Sequence, residues 1–239
     1  MEQPDVQKRF ANVQKSKTFI RIVQHLKLND KKTLDLGCGF GEYMALFGKG
    51  SLGITTTLRE VEYGNEHGKE HGNGGIRIIR GNVEALDIIP ELQTERFEAI
   101  WSNNLFEHLL APHLFLNSLK RYSEGSTQLI LGVPVVPFFP GLMKITKFRG
   151  SLSSAHINFF TRKTLMLSVE RAGWKILEAR PFIFSNKFLD AIAGMFAPHI
   201  YVVALNDSNF KYPEKKLREW KDELHYNYVL ETTGQSTQP

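Results

Sequence analysis

The chain has 239 residues, 42% hydrophobic and 23% charged, which are values of a folded protein with a sizeable core and exclude a disordered chain. Its net charge is +5, but 30 basic and 25 acidic residues are interspersed without a long basic block, so nucleic-acid binding is not expected. The single cysteine, Cys38, excludes an intrachain disulfide; "MEQPDVQKRF" lacks a signal-peptide core and no apolar run reaches roughly 20 residues, so a cytoplasmic protein without a spanning helix is expected, with peripheral membrane contact left open.

From Asp5 to about Leu28, the residues Val6, Phe10, Val13, Ile20 and Val23 recur at helical intervals and predict an N-terminal helix over about 5–28. Asn29 and Asp30 break it. Next come a strand at "KTLDLG", a brief helix from about Glu42, a strand at "SLGIT", a helix through "LREVEYGNEHGKE" and a strand at "IRIIRGN". A strand "FEAIWS", a helix "APHLFLNSLKRYS" and a strand "TQLILGVP" follow. Alternation of this kind predicts a mostly parallel sheet with helices on both faces, a doubly wound α/β fold. It pauses over about 134–160, where "PVVPFFPGLMKITKFRGSLSSAHIN" carries three prolines, two glycines and a serine cluster. Irregular insertions of such length in compact domains are usually functional, and this one is expected to cover a substrate. The chain resumes with a helix "TRKTLMLSVERAG" stopped by Gly173, a strand "WKILEARPF", an apolar segment "NKFLDAIAGMFAP" and a last strand "HIYVVALND". A charged helix "PEKKLREWKDEL" and a polar end complete a division into a domain over 1–205 and a helical tail over 206–239.

The stretch "TLDLGCGFGEY" places Gly37, Gly39 and Gly41 directly after the first predicted strand. In open parallel sheets, ligands bind beyond the carboxyl ends of the strands, and glycine lets them approach the backbone. A triphosphate loop would need Lys and then Ser or Thr after the last glycine, where this chain has Glu42 and Tyr43. The dinucleotide fingerprint needs a small sixth residue, and the charge of Glu42 would oppose a diphosphate there. A cofactor without phosphate is favoured.

"LDLGCGFG" resembles the first motif of class I S-adenosylmethionine-dependent methyltransferases, and the resemblance continues in order through "IRIIRGNVEAL", "FEAIWSNNLFEHL", "YSEGSTQLILGVP" and "SSAHINFFTRKTLMLSVERAGWKI", over about 33–176. It implies a seven-stranded Rossmann-like sheet, S-adenosyl-L-methionine as cofactor, and methyl transfer to oxygen of a small molecule or glycan intermediate. Position by position, Asp35 would support the glycine loop and the amino-acid end of the cofactor, along which Gly37, Cys38 and Gly39 would run. Cys38 itself reads as a small packing residue rather than a nucleophile. Asn82, Val83 and Glu84 would surround the adenine, and Ser102 and Asn103 would lie by the methionine part and the methyl group.

Two departures matter. The acid that members place at the end of the second strand for the ribose hydroxyls is Thr55 here, with Glu60 or Glu62 available to compensate. Thr55 also motivates a reading from another class, a non-catalytic methyltransferase-fold binding module; a nicotinamide oxidoreductase is opposed by Glu42. The E-x-x-E-H metal ligands of ubiquinone-biosynthesis O-methyltransferases become Asn104-x-x-Glu107-His108, and without the first carboxylate no metal is expected. His108 is the first candidate for the base that takes the acceptor proton and His156 the second. Glu107 serves either the substrate or a helix cap. In the insertion, Phe138, Phe139, Leu142 and Met143, with Lys144, Lys147 and Arg149, fit either a pocket for a hydrophobic or lipid-linked acceptor or, the favoured reading, a lid over the cofactor.

Overall fold

A computed structural model describes residues 3–68 and 76–220. Strands β1 (Thr33–Leu36), β2 (Leu52–Thr55), β3 (Ile78–Arg80), β4 (Phe97–Asn103), β5 (Ser123–Val136), β7 (Trp174–Arg180) and β8 (His199–Asn206) form one sheet in the order β3-β2-β1-β4-β5-β8-β7, and β6 (Phe160–Thr161) pairs with the end of β5. The pairs from β3 to β5 are parallel, whereas β8 runs antiparallel to both β5 and β7. This is the mostly parallel, doubly wound sheet expected. The chain leaves β1 towards β2 and β3 and then returns to β4 on the other side. That reversal opens a crevice beyond the carboxyl ends of β1 and β4.

The central strands are apolar on both faces because both are covered. On one face Leu34, Ile100, Leu129, Leu131 and Val202 pack with residues of helices α4 (Pro112–Ser118) and α5 (Arg162–Arg171). On the other, Ala99, Trp101, Ile130 and Val203 pack beneath α2 (Lys17–Leu26), where the Phe19 ring meets Trp101 edge to face at 5.4 Å. Thr161 and Thr164 form a capping box that starts α5, and Gly173, at φ +78°, follows its end as expected.

Four expectations are corrected. The N-terminal helix is two helices, α1 (Gln3–Lys15) and α2, because Ser16 turns to extended backbone and its hydroxyl caps the Phe19 amide at 3.3 Å. The brief helix from Glu42 is only a three-residue 3₁₀ turn, Met44–Leu46. The chain must already pass under Lys31 at Gly48, where a Cβ would lie 2.6 Å from the Lys31 amide nitrogen. β5 extends into the insertion as far as Val136, and the rest of the insertion holds three 3₁₀ turns, Pro140–Lys144, Thr146–Phe148 and Gly150–Leu152. The apolar segment before β8 contains a helix, α6 (Lys187–Ala193), started by the Asn186 side chain. The remaining helices are α3 (Leu58–His67) and α7 (Glu214–Trp220); the polar end expected after α7 lies outside the described residues. Among the described residues, no helix is long and apolar enough to cross a membrane.

Candidate functional site

Gly37, Gly39 and Gly41 carry φ of +75°, +56° and +84°, so the loop after β1 needs glycine at each. The amides of Gly37 and Cys38 both donate to the Ile54 carbonyl, at 3.0 and 3.1 Å, which ties the loop to β2. Beneath it lies Asp35, buried on β1, with Oδ2 lacking a hydrogen-bond partner, and beside it Glu42, whose Oε2 also lacks one. Burial pushes the Asp35 carboxyl well above the usual carboxylate range, with the nearby Glu42 charge adding to it; burial also raises Glu42. The cation facing Glu42 is Arg9 of α1, at 3.8 Å and lying over the Phe40 ring.

At the end of β4 the Ser102 hydroxyl and Asn103 Oδ1 are buried without partners, while Asn103 Nδ2 donates to the Tyr43 hydroxyl at 2.9 Å. Burial holds that phenol protonated, its pKa pushed up to about 12. Among the described residues, eight buried side-chain polar atoms lack partners, and six belong to Asp35, Glu42, Ser102, Asn103 and Glu107. Buried polar groups are seldom left so, and their concentration at the crevice marks a place built for a ligand. The buried Asp35 carboxylate, with no ion-pair partner among the described residues and the half-buried Glu42 beside it, suits a cationic one.

The residues expected to bind the cofactor differ in how far their polar atoms are already engaged. The Thr55 hydroxyl donates to the Glu60 carboxylate, so an acid one turn into α3 stands at the end of β2 where Thr55 alone offered none. Glu62 is exposed. Val83 is buried, whereas Asn82 accepts the Glu84 amide at 3.0 Å in its own turn and Glu84 accepts the Ala111 amide at 2.8 Å. Glu84 thereby holds the loop before α4. The Cys38 thiol is buried and pushed up by burial; a Cβ on Gly53 would lie 2.6 Å from its sulfur, so it packs, as expected.

Beyond β4 the chain turns at Asn104, a non-glycine residue at φ +52°, whose amide donates to Gly132 at 2.9 Å. The following turn, Phe106–His108, buries Glu107 to 1% exposure with neither carboxylate oxygen partnered. Its backbone carbonyl accepts the Ile157 and Asn158 amides, which clamps the end of the insertion onto this turn. Nδ1 of His108 faces the Ala155 carbonyl at 2.9 Å, and Nδ1 of His156 faces the Ser151 carbonyl at 3.3 Å. A carbonyl only accepts, so each imidazole carries a proton on Nδ1 and turns its Nε2 towards Glu107. Those Nε2 atoms lie 3.9 and 3.8 Å from Glu107 Oε1, and the two rings meet edge to face at 4.8 Å. Burial raises the Glu107 carboxyl.

The fold thus unites Glu107, His108 and His156 from segments about fifty residues apart, and it adds His199, which the sequence reading missed. His199 opens β8 opposite Pro134, its Nε2 is 3.1 Å from Asn104 Oδ1, and burial lowers its pKa to about 4, so it is neutral. Asn104, Glu107, His108, His156 and His199 line a cavity of about 360 Å³ with Pro134 and Pro198 at its wall. No metal is expected from Asn104, but the fold brings His156 beside Glu107 and His108: the ligand atoms of these three lie within 4.8 Å of one another, a donor set of the kind that can hold a cation. Phe138 and Phe139 are exposed and are not among the residues that line this cavity. A wider groove of about 1110 Å³ between α4, α5 and α7 contains none of the expected site residues.

A family profile described as a methyltransferase domain matches residues 8–179. No curated protein matches the sequence. Among solved structures, a SAM-dependent methyltransferase from Thermotoga maritima, described as a possible histamine N-methyltransferase, superposes with a TM-score of 0.57 at 16% identity, covering 85% of this chain and 96% of its own. Magnesium protoporphyrin IX methyltransferase from Synechocystis PCC 6803 with bound SAH has a TM-score of 0.55 at 15% identity, covering 84% and 87%. The methyltransferase in complex with the Trm112 activator from Haloferax volcanii reaches 0.59 at 12% identity, covering 85% and 95%. At these identities the structures share the fold with this chain.

Proposed function

Since the chain belongs to the methyltransferase-domain family, with S-adenosylmethionine as its cofactor, we propose that it is an enzyme that methylates oxygen of a small-molecule or glycan acceptor held in the cavity of Glu107, His108, His156 and His199. The observation that carries this reading is the pairing of two sets of unsatisfied buried groups, Asp35 with Glu42 under the glycine loop and Glu107 with its two imidazoles beyond β4.

The cofactor supplies a methyl group already activated by its sulfonium. What the chain has to do is hold, align and exclude water. Asp35 would receive the cationic amino-acid end of the cofactor, Gly37 and Gly39, at positive φ, would let it pass, and Glu60, to which the Thr55 hydroxyl donates, would receive the ribose hydroxyls. Val83, itself buried, would pack against the adenine. Ser102 and Asn103, with buried polar atoms that have no partner, would lie by the methionine part. The acceptor proton leaves to Nε2 of His108, the more exposed imidazole, and the Glu107 carboxylate stabilises the positive charge that forms. His156 stands on the other side of Glu107 as a second acceptor of that proton.

Glu60 removes the main motive for a non-catalytic binding module, since a carboxylate does stand at the end of β2. Calorimetry with S-adenosylmethionine should show micromolar binding, and Glu60→Gln should weaken it by roughly tenfold through loss of a charge-assisted hydrogen bond. No heat of binding in any of several buffers would overturn the reading.

A second reading of the acceptor side rests on one observation: two imidazole Nε2 atoms converge on a buried carboxylate that has no hydrogen-bond partner. Backbone carbonyls on the far ring nitrogens are the support that ligating histidines usually have. In this reading Glu107, His108 and His156 would hold a divalent transition-metal ion, which would supply Lewis acidity to the acceptor hydroxyl. Metal analysis of the purified protein should then find about one equivalent, and chelation should abolish turnover until Zn²⁺ or Mn²⁺ is restored. Full activity of metal-free protein would leave the histidine base alone.

A further inference from the structure

Helix α6 is inside out. Its one acid, Asp190, is fully buried, where its carboxylate accepts the amides of Phe182, Ile183 and Phe184 at 2.8 to 2.9 Å and pairs with Arg180 at 3.3 Å. Its apolar residues face outward: Phe188 is 73% exposed, and Leu189 and Ile192 are exposed as well. A surface helix of a protein surrounded by water shows the opposite order.

The outward face continues beyond the helix. Asp190 folds the exposed Ile183 and Phe184 back onto α6. After the helix, the exposed Phe196 ring stacks on Phe139 at 5.2 Å, Phe139 meets Phe138 at 5.0 Å, and the Phe138 amide donates to the Met195 carbonyl at 3.2 Å. Phe138 is 72% exposed. Exposed apolar residues this contiguous mark a docking surface.

Charge selects the occupant. Residues 125–169 contain no acid, and over 181–206 the sole acid is the buried Asp190. The exposed charges on these segments include Lys144, Arg149 and Lys187, and Lys187 stays largely exposed despite a 3.9 Å approach to Glu178. A second copy would bring these cations against each other, whereas an anionic lipid surface accepts apolar rings and basic side chains together. Pro134 and Pro198 at the wall of the acceptor cavity are four and two residues from Phe138 and Phe196, so the same face borders the cavity.

We infer that the face made by α6, residues 183–184 and 195–196, and Phe138 and Phe139 docks on an anionic bilayer and that the acceptor is an amphiphile reached from it. The second clause rests on the proposed methyl transfer; the first does not. In co-sedimentation, the protein should bind vesicles of phosphatidylcholine containing roughly a third phosphatidylglycerol, bind phosphatidylcholine alone at least about tenfold more weakly, and be released by high salt. Phe138→Ser with Phe188→Ser should weaken vesicle binding about tenfold or more, and Lys144→Glu with Lys187→Glu should act similarly. Both double variants should keep the parent's melting temperature and S-adenosylmethionine affinity. Failure to bind either vesicle, serine variants that bind like the parent, or a dimer that the serine changes dissolve would overturn the inference. Cofactor binding without vesicle binding sinks the docking face alone; vesicle binding without cofactor binding sinks the methyltransferase reading alone.

Discussion

Asp35→Asn should weaken S-adenosylmethionine binding by about ten- to a hundredfold, roughly 1.4 to 2.8 kcal/mol, while leaving the ligand-free protein as stable as the parent or more so. Asp35 is buried under the glycine loop with one oxygen unpartnered and Glu42 nearby, so its charge costs free energy until a cation arrives. Asn keeps the shape and loses the charge.

The pH dependence has a definite sign. Because the folded-state pKa of Asp35 is raised, the native protein binds more protons than the unfolded chain from the ordinary carboxylate value up to the raised one. Its contribution therefore lowers stability as pH rises through that window. Glu42, also raised, acts in the same direction. Thermal unfolding of ligand-free protein at about pH 5 and about pH 8 should show a smaller fall for the Asn variant than for the parent. Cofactor affinity should change the other way, falling in acid as these carboxyls take up protons. Equal affinity of parent and Asn variant, with the pH slope unchanged, would remove Asp35 from the cofactor site.

Glu107→Gln should reduce kcat by about a hundredfold or more and leave the cofactor affinity and the acceptor KM close to the parent's. The carboxylate is almost inaccessible, it makes no hydrogen bond through either oxygen, and both neighbouring Nε2 atoms face it. Its negative charge has work to do when an adjacent group becomes positive, and that is in the transition state rather than the ground state. A merely structural carboxylate would behave differently: its loss would lower the melting temperature and raise KM along with lowering kcat. Since burial raises the Glu107 carboxyl, the amide variant should melt no lower than the parent. Metal content of the same variant separates the two readings of the cluster. A parent and variant equally free of metal assign the proton to histidine; a metal lost with Glu107 assigns the site to a cation.

How much of this was legible in the sequence differs from residue to residue. Short-range chemistry was legible: three glycines after an apolar strand, Glu42 where a small residue would serve a diphosphate, Thr161 opening α5 and Gly173 after its end. These features act over a few residues and carry their meaning in spacing alone. Motif order was equally legible, and it gave the doubly wound sheet, the family and the cofactor. Ser16 was not legible as a helix break, because an uninterrupted apolar periodicity on both sides hides a capping hydroxyl.

What only the tertiary structure decided is which distant residues meet. Thr55 looked like a missing acid until α3 brought Glu60 to its hydroxyl. Asn104 looked like a missing ligand until the insertion folded back and set His156 against Glu107. His199 carried no local signal at all; it reaches the cavity because β8 pairs antiparallel with β5 in the register that sets it opposite Pro134. The inverted polarity of α6 is likewise invisible in a seven-residue helix, since the burial of Asp190 depends on three amides and an arginine supplied by β7 and the loop after it. Periodicity and spacing specify the elements and the cofactor loop by themselves, but strand register and loop closure bring the remaining groups within a few ångströms, and those are properties of the packed chain.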